Sequence, residues 1–157
     1  NLQGFLYMVY NSTSAEQTEK LGSLLAEKLY TAPHYKAFIA MRGEMGVGKT
    51  AFVRGFASYF GISGIKSPTY TVVNEHHGKV SIFHFDMYRI ESEDDLYSIG
   101  FDDYTDREGY CIAEWSENVS EFLPENRITV TIERAEPFPD GRKIDISLEG
   151  AYEDIGI

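Results

Sequence analysis

The stretch that decides the fold is Gly43-Glu44-Met45-Gly46-Val47-Gly48-Lys49-Thr50. It fits G-x-x-x-x-G-K-[ST], the loop that wraps the phosphates of a nucleotide. Glycines suit such a loop because its backbone turns through positive φ and brings N–H groups against phosphate oxygens. In this motif the lysine reaches the β and γ oxygens, and the threonine hydroxyl reaches Mg²⁺. We therefore predict nucleotide contacts from Glu44, Met45, Gly46, Val47, Gly48, Lys49, Thr50 and Ala51.

The residues on either side of this loop have the character that a phosphate site requires. The apolar residues 37–41 predict a buried strand before the loop, and residues 50–59 predict a helix after it. The N-terminus of that helix would add a partial positive charge to the site. Strand, loop and helix in this order favour nucleotide binding over the alternative, a surface glycine turn with an incidental lysine.

The rest of the chain predicts an α/β sandwich. Leucines at helical spacing behind cap candidates predict a helix over residues 15–30, and the acidic residues 91–100 also have a helical pattern. Apolar and alternating segments predict strands at residues 70–76, 79–85, 109–113, 127–133 and 143–148. The first two should form an antiparallel hairpin. This mixture predicts a central sheet with parallel and antiparallel pairs and a ligand at the carboxyl ends of the central strands.

Length and composition limit the classes of function. A chain of 157 residues that is 43% hydrophobic fits one domain. The formal net charge of −11 argues against tight, sequence-independent binding of nucleic acid by this chain alone. Cys111 is the only cysteine, which excludes an internal disulfide and fits a reducing compartment. Because no apolar stretch approaches the roughly 18 residues of a membrane span, we expect a cytoplasmic protein with no membrane contact.

The N-terminal residues 1–7, NLQGFLY, have the glutamine-glycine character of a protease-site remnant. We therefore expect the natural start at Met8 and a single domain over residues 8–157, and we leave the first seven residues out of the predicted fold.

Two acids stand where apolar strands end. Glu114 follows Cys111-Ile112-Ala113, and Asp86 follows Ile82-Phe83-His84-Phe85. Nucleotide hydrolysis needs carboxylates that hold Mg²⁺ directly or through water and that orient the attacking water. An acid at the end of a buried strand would reach the ligand edge of the sheet. Both residues are therefore candidates for these roles; the alternative is that one of them only caps a turn.

Other motifs leave alternatives open. Thr69, in Ser67-Pro68-Thr69, either senses a γ-phosphate or caps a loop, and Trp115 either stacks on a base or partner or belongs to the core. Arg89 either pairs with Asp86 or faces phosphate. Adjacent residues of a strand point to opposite faces, so His76-His77 does not indicate a metal site. The acidic run from residue 91 is a solvated face and the best candidate docking surface.

Four segments together resemble the TsaE (YjeE/YdiB) family, the ATPases of bacterial tRNA threonylcarbamoyladenosine (t6A) synthesis. They are the loop at residues 43–50, Ser67-Pro68-Thr69-Tyr70, His84-Phe85-Asp86-Met87-Tyr88-Arg89 and Glu114-Trp115-Ser116-Glu117. The order and spacing of all four match, and the resemblance covers about residues 8–148. One departure is Ser116, where the family usually has proline; we expect it to loosen that turn.

The resemblance implies a P-loop NTPase-like fold and weak ATP hydrolysis, with ATP or ADP and Mg²⁺ as cofactors. It also implies association with the proteins TsaB and TsaD, which place threonylcarbamoyl on adenosine 37 of tRNAs. The tRNA would then meet this chain only indirectly, in agreement with the charge of −11.

The family's roles carry over by position. They make Thr50 and Glu114 the metal-side residues, Asp86 the catalytic acid and Thr69 a contact on the γ-phosphate side. Lys49 would bind the phosphates.

Two other classes remain open from the sequence. A small-molecule P-loop kinase needs cationic lid residues over the transferred phosphoryl group, and the arginines of this chain are scattered. A nucleotide-binding adaptor that does not hydrolyse ATP would have the same sequence features as a slow ATPase. Turnover that depends on partners separates the adaptor from the ATPase.

Overall fold

The computed structural model describes residues 5–67 and 72–155. Within these ranges the chain forms seven strands, four α-helices and two short 3₁₀ helices. The strands are β1 (Phe5–Ser12), β2 (Lys36–Arg42), β3 (Val73–His77), β4 (Ser81–Asp86), β5 (Gly109–Glu114), β6 (Ile128–Arg134) and β7 (Arg142–Glu149). The α-helices are α1 (Ala15–Thr31), α2 (Lys49–Tyr59), α3 (Glu93–Ser98) and α4 (Phe101–Asp106), and the 3₁₀ helices are Ser116–Phe122 and Gly150–Tyr152.

All seven strands belong to one sheet, in the order β1-β7-β6-β2-β5-β4-β3. The four central strands, β6, β2, β5 and β4, run parallel, whereas β3, β7 and β1 pair with their neighbours in the antiparallel direction. The prediction of a mixed sheet in an α/β fold is therefore confirmed. The carboxyl ends of β2, β4 and β5 meet at one edge, which is the edge that holds the site described below.

The sheet is covered by a layer on each face, as the alternation of side chains along β2 illustrates. Ile39 and Met41 enter the core formed with α1 and α2. Phe38 and Ala40 enter a second core, formed with α3, α4 and the first 3₁₀ helix. A strand that is buried on both faces reads as a continuous apolar run, which explains why residues 37–41 were recognisable in the sequence.

Helices α1 and α2 approach each other closely through two glycines. A Cβ atom on Gly22 would lie 2.1 Å from the carbonyl oxygen of Phe52, and one on Gly55 would lie 1.9 Å from that of Glu19. Neither distance leaves room for a methyl group. Since α2 carries Lys49 and Thr50 at its N-terminus, this contact also fixes the helix that presents the predicted phosphate-binding residues.

Two parts of the fold differ from the prediction, and a third is confirmed with different bounds. β1 was not expected, and the exclusion of residues 1–7 from the fold is wrong for residues 5–7, whose backbone pairs with β7. The predicted helix over residues 91–100 ends at Ser98, and α4 follows it because Gly100, at φ 73°, turns the chain. The predicted hairpin is confirmed, although β3 begins at Val73 and residues 70–71 lie outside the described residues.

Candidate nucleotide-binding site

The glycine-rich loop connects the carboxyl end of β2 to the N-terminus of α2. Gly46 and Gly48 have φ values of 74° and 117°, a region of backbone conformation that favours glycine. Gly48 is the N-cap residue of α2 and offers no side chain to the first helical N–H groups. These groups and the helix dipole therefore remain available to an anion, and the first turn of α2 contains no acid that would compete for them.

Lys49 is buried at the start of α2, with 4% of its surface exposed. Its Nζ donates a hydrogen bond to the Gly43 carbonyl oxygen at 2.6 Å and lies 3.7 Å from the centre of the Trp115 ring. Burial lowers the pKa of Lys49, while the carboxylates of Glu114, Glu117 and Asp86 act in the opposite direction. The amine is thus held at the loop by a backbone carbonyl and an aromatic face.

A cavity of about 520 Å³ opens above the loop and brings the main predicted residues together. Lys49, Thr50, Asp86 and Glu114 all line it, together with Met45, Gly46, Gly48, Ser67, Tyr88, Arg89 and Trp115. The loop after β2 and helix α2 supply Lys49 and Thr50, whereas Asp86 ends β4 and Glu114 ends β5. The site exists because the carboxyl ends of these three strands meet.

Other predicted residues lie elsewhere. Glu44 and Val47 line a neighbouring cavity of about 780 Å³ on the β6 side of the loop. Ala51 is buried in α2. Because Val47 and Ala51 are buried and apolar, they can contact a ligand only through their backbone groups. Thr69 lies outside the described residues.

Asp86 both lines the cavity and caps a turn. Its Oδ1 accepts a hydrogen bond from the backbone N–H of Tyr88 at 2.9 Å. That bond fixes the carboxylate at the end of β4, opposite Glu114 in the register of β4 and β5. The two readings of the sequence, a turn cap or a site acid, are therefore compatible for this residue.

Glu114 is a buried carboxylate, with 4% of its surface exposed. A buried carboxylate needs hydrogen-bond partners, and Oε2 of Glu114 is bonded to Nε2 of His84, a fully buried residue of β4. No role was predicted for His84 from the sequence. The available signal was its spacing, because His84 and Asp86 lie on the same face of β4, next to Glu114 on β5.

The turn after β5 is tied to the strand that leads into the loop. Ser116 is buried, and its Oγ donates a hydrogen bond to the carbonyl oxygen of Met41 in β2 at 3.0 Å. Proline could not make this bond, which ties the turn to β2 and so acts against the expected loosening. Trp115, just before it, is half-buried and has a φ of 60°. Trp115 packs against the second core and also lines the cavity. It is therefore partly a core residue and is also placed where it could stack on a ligand.

Two further side chains, which the sequence analysis did not assign, hold the loop from opposite sides. Glu117 accepts a hydrogen bond from the N–H of Gly43 at 3.3 Å. Arg142, at the start of β7, donates from Nε to the carbonyl oxygen of Val47 at 2.5 Å. Both act on the backbone of the loop, which no pattern of residue types reveals.

The donor atoms at the site fit magnesium. The Thr50 hydroxyl and the carboxylates of Glu114 and Asp86 are hard oxygen ligands that line one cavity. Across residues 5–67 and 72–155, no cluster of three or more histidine, cysteine, aspartate or glutamate residues could hold a metal ion by itself. Mg²⁺ does not require such a cluster, since it is commonly held by one or two protein oxygens together with phosphates and water.

None of the helices within residues 5–67 and 72–155 combines the length and the apolar character that a membrane span requires.

The mixed sheet and the glycine-rich loop that leads into α2 define the class of the protein, a P-loop NTPase-like α/β fold. Within this class, the chain belongs to the TsaE family: the family model, described as threonylcarbamoyl adenosine biosynthesis protein TsaE, matches residues 12–144. The resemblance seen in the sequence is therefore confirmed.

Individual relatives agree with this assignment. The chain is 37% identical to the tRNA threonylcarbamoyladenosine biosynthesis protein TsaE of Haemophilus influenzae, over 81% of this chain and 80% of that protein. It is 34% identical to the protein of the same name from Treponema pallidum, over 77% of this chain and 87% of the relative. The crystal structure of Bacillus subtilis YdiB is similar, with a TM-score of 0.77 and 27% identity, over 96% of this chain and 92% of YdiB.

Proposed function

We propose that this chain is a Mg²⁺-dependent ATPase that supports t6A synthesis at position 37 of tRNA, in association with the proteins TsaB and TsaD. The observation that carries the proposal is the single cavity that Lys49, Thr50, Asp86 and Glu114 share at the carboxyl edge of the sheet. The names of the relatives, tRNA threonylcarbamoyladenosine biosynthesis proteins, support the place in tRNA modification.

Phosphate binding in this proposal begins with an exchange of partners at Lys49. The loop N–H groups and the N-terminus of α2 bind the phosphate oxygens. Lys49 then gives up the carbonyl oxygen of Gly43 and takes a β or γ oxygen. The exchange begins within the loop, because Nζ is already bonded to the first residue of the motif. Thr50 follows Lys49 and lines the same cavity, so its hydroxyl would be an oxygen ligand to the metal.

The two acids divide the remaining work. Asp86, whose carboxylate is fixed by the N–H of Tyr88, orients the attacking water. Glu114 holds the metal side of the site. When bound, Mg²⁺ neutralises charge on the β and γ phosphates. Thr69 adds a contact on the γ-phosphate side.

The charge of the chain supports an indirect relation to tRNA. With a formal net charge of −11, its surface as a whole repels a phosphate backbone. TsaB and TsaD would therefore hold the tRNA, while this chain binds and hydrolyses ATP beside them. If the ATP site is complete only in the complex with TsaB and TsaD, hydrolysis will be slow in the isolated chain and faster when these partners are bound.

The test is ATP hydrolysis by the purified chain, alone and with the cognate TsaB and TsaD proteins, with Lys49→Ala as the blank. Strong stimulation that the Lys49→Ala variant does not show is the expected result. No stimulation by partners that demonstrably bind would overturn the ATPase in favour of a nucleotide-binding adaptor. Transfer of phosphate from ATP to a small metabolite would overturn it in favour of a kinase.

A further inference from the structure

His84 occupies a position between the core and the candidate site. Its side chain is fully buried, and it precedes Asp86 by two residues on the same face of β4. Its Nε2 is hydrogen-bonded to Oε2 of Glu114 on the neighbouring strand. A carboxylate that serves as a metal ligand can only accept a hydrogen bond, so in that role of Glu114 the donor is Nε2 of His84.

The rest of the imidazole ring has no polar partner. Nδ1 is buried and makes no hydrogen bond in the described structure. Along its own face of the sheet, His84 has the buried Ile82 two residues before it and the buried Ile112 directly opposite on β5. Its register partner on β3 is the half-buried Asn74. The polar contact of the ring is thus directed at one oxygen of Glu114.

Stability alone does not account for this pair. Replacing a buried polar pair by apolar residues of similar volume is often neutral or stabilising, so the core does not need a histidine here. Hydrogen-bond donors next to a metal-binding carboxylate have a known use, because they fix the orientation in which the carboxylate binds the metal or a metal-bound water. Glu114 is placed for such a role, since it is hydrogen-bonded to the buried His84 and also lines the cavity.

We propose that His84 is a positioning residue for Glu114. By holding Oε2 from the core side, it turns the other carboxylate oxygen toward the cavity, where that oxygen can hold Mg²⁺ directly or through water. The proposal rests on the proposed function, because it assumes that Glu114 serves the metal side of a nucleotide site. It assigns His84 to orientation and not to contact with the nucleotide.

The experiment measures Mn²⁺ binding in the presence of ADP by electron paramagnetic resonance, so that the readout is affinity and not turnover. His84→Leu removes the donor while keeping an apolar side chain in the core. His84→Gln keeps an N–H donor near the position of Nε2. His76→Leu is the matched control, because His76 is a partly buried histidine on the neighbouring strand β3 whose register partner is Ile82.

We expect His84→Leu to weaken Mn²⁺ binding by about 10–100-fold, the usual effect of losing a group that orients a metal ligand. We expect His84→Gln to recover most of the affinity and His76→Leu to match the unmodified chain. The affinity for ADP in the presence of EDTA should be the same for all four proteins. A general loss of structure would lower that affinity as well, so the metal-free measurement separates positioning from misfolding.

Two results would overturn the proposal. One is a folded His84→Leu variant that binds Mn²⁺ as tightly as the unmodified chain. The other is a His84→Gln variant no better than His84→Leu, because donation to Glu114 would then not be the cause. If His84→Leu does not fold, His84→Asn takes its place, since its shorter amide lies near Nδ1 and does not reach Glu114. Two other results concern the proposed function instead. If the cavity is not a nucleotide site, the unmodified chain will bind neither ADP nor Mn²⁺ with ADP; if the chain is an adaptor or a kinase, the ATPase assay with partners fails while these binding measurements still apply.

Discussion

At the scale of single residues, the site depends on polar groups that the strands hold in place before any ligand arrives. Asp86 is fixed by the N–H of Tyr88, and Glu114 by the buried ring of His84. The residue types of Asp86 and Glu114 were readable from the sequence, because each ends an apolar strand. The hydrogen bond to His84 was not, since it joins two strands whose pairing only the folded sheet defines.

Asp86→Asn tests the catalytic role of that acid. The amide has the same size and can still accept the hydrogen bond from Tyr88, but it cannot take a proton from water. We expect ATP hydrolysis to fall by about 100-fold or more while ADP affinity stays within a few-fold, measured by phosphate release and by calorimetric titration. Asp106→Asn, at the end of α4 and the opposite edge of the sheet, is the control. A parallel loss of affinity and turnover would argue against a catalytic role.

Ser116→Ala tests the bond that ties the turn after β5 to β2. The substitution removes a buried hydrogen bond at 3.0 Å to the carbonyl oxygen of Met41, so we expect the free energy of unfolding to fall by about 1 kcal/mol. Urea denaturation followed by circular dichroism measures it. Ser120→Ala, an exposed position of the same 3₁₀ helix, should change stability by less than about 0.5 kcal/mol. Equal losses in the two variants would contradict the role given to Ser116.

At the scale of elements, the loop and the buried strands around it are the parts of the fold that the sequence predicts best. The loop and β2 were predictable because a fully buried parallel strand is apolar throughout and the phosphate motif has fixed spacing. β1 was not predicted because residues 5–7 belong to a segment that resembles a protease-site remnant. These residues nevertheless pair with β7 through backbone groups, which any residue type offers. The break between α3 and α4 depends on the positive φ of Gly100, which helical periodicity does not reveal.

Gly55→Ala tests the close contact between α1 and α2. The new methyl group would meet the backbone carbonyl of Glu19, which cannot move without the helix. We expect a loss of about 1–3 kcal/mol in the free energy of unfolding, measured in urea, and weaker ADP binding because α2 carries Lys49. The control is Glu27→Ala, an exposed position of α1, for which both quantities should remain close to those of the unmodified chain. Unchanged stability in Gly55→Ala would show that the two helices separate easily.

At the scale of the whole molecule, a ligand that binds only the folded chain adds its binding free energy to stability. When free ADP with Mg²⁺ is present at 100 times its dissociation constant, we expect the free energy of unfolding to rise by about 2.7 kcal/mol. For a chain of this size, that corresponds to a rise of about 5–10 °C in Tm. Differential scanning fluorimetry with an external dye measures the shift. Lys49→Ala should lose most of it, whereas Lys79→Ala, in the turn before β4 at the far edge of the sheet, should keep it. A full shift in Lys49→Ala would contradict the place given to the phosphates.

The position of Trp115 gives the molecule one more property. It is the only tryptophan in the chain, and the ammonium group of Lys49 lies 3.7 Å from the centre of its ring. In the proposed nucleotide complex, Lys49 would leave the face of the indole for a phosphate oxygen, and a charged ligand would enter the space beside the ring. The chain therefore contains its own optical reporter, and the arrival of a nucleotide should be visible in its intrinsic fluorescence without any label.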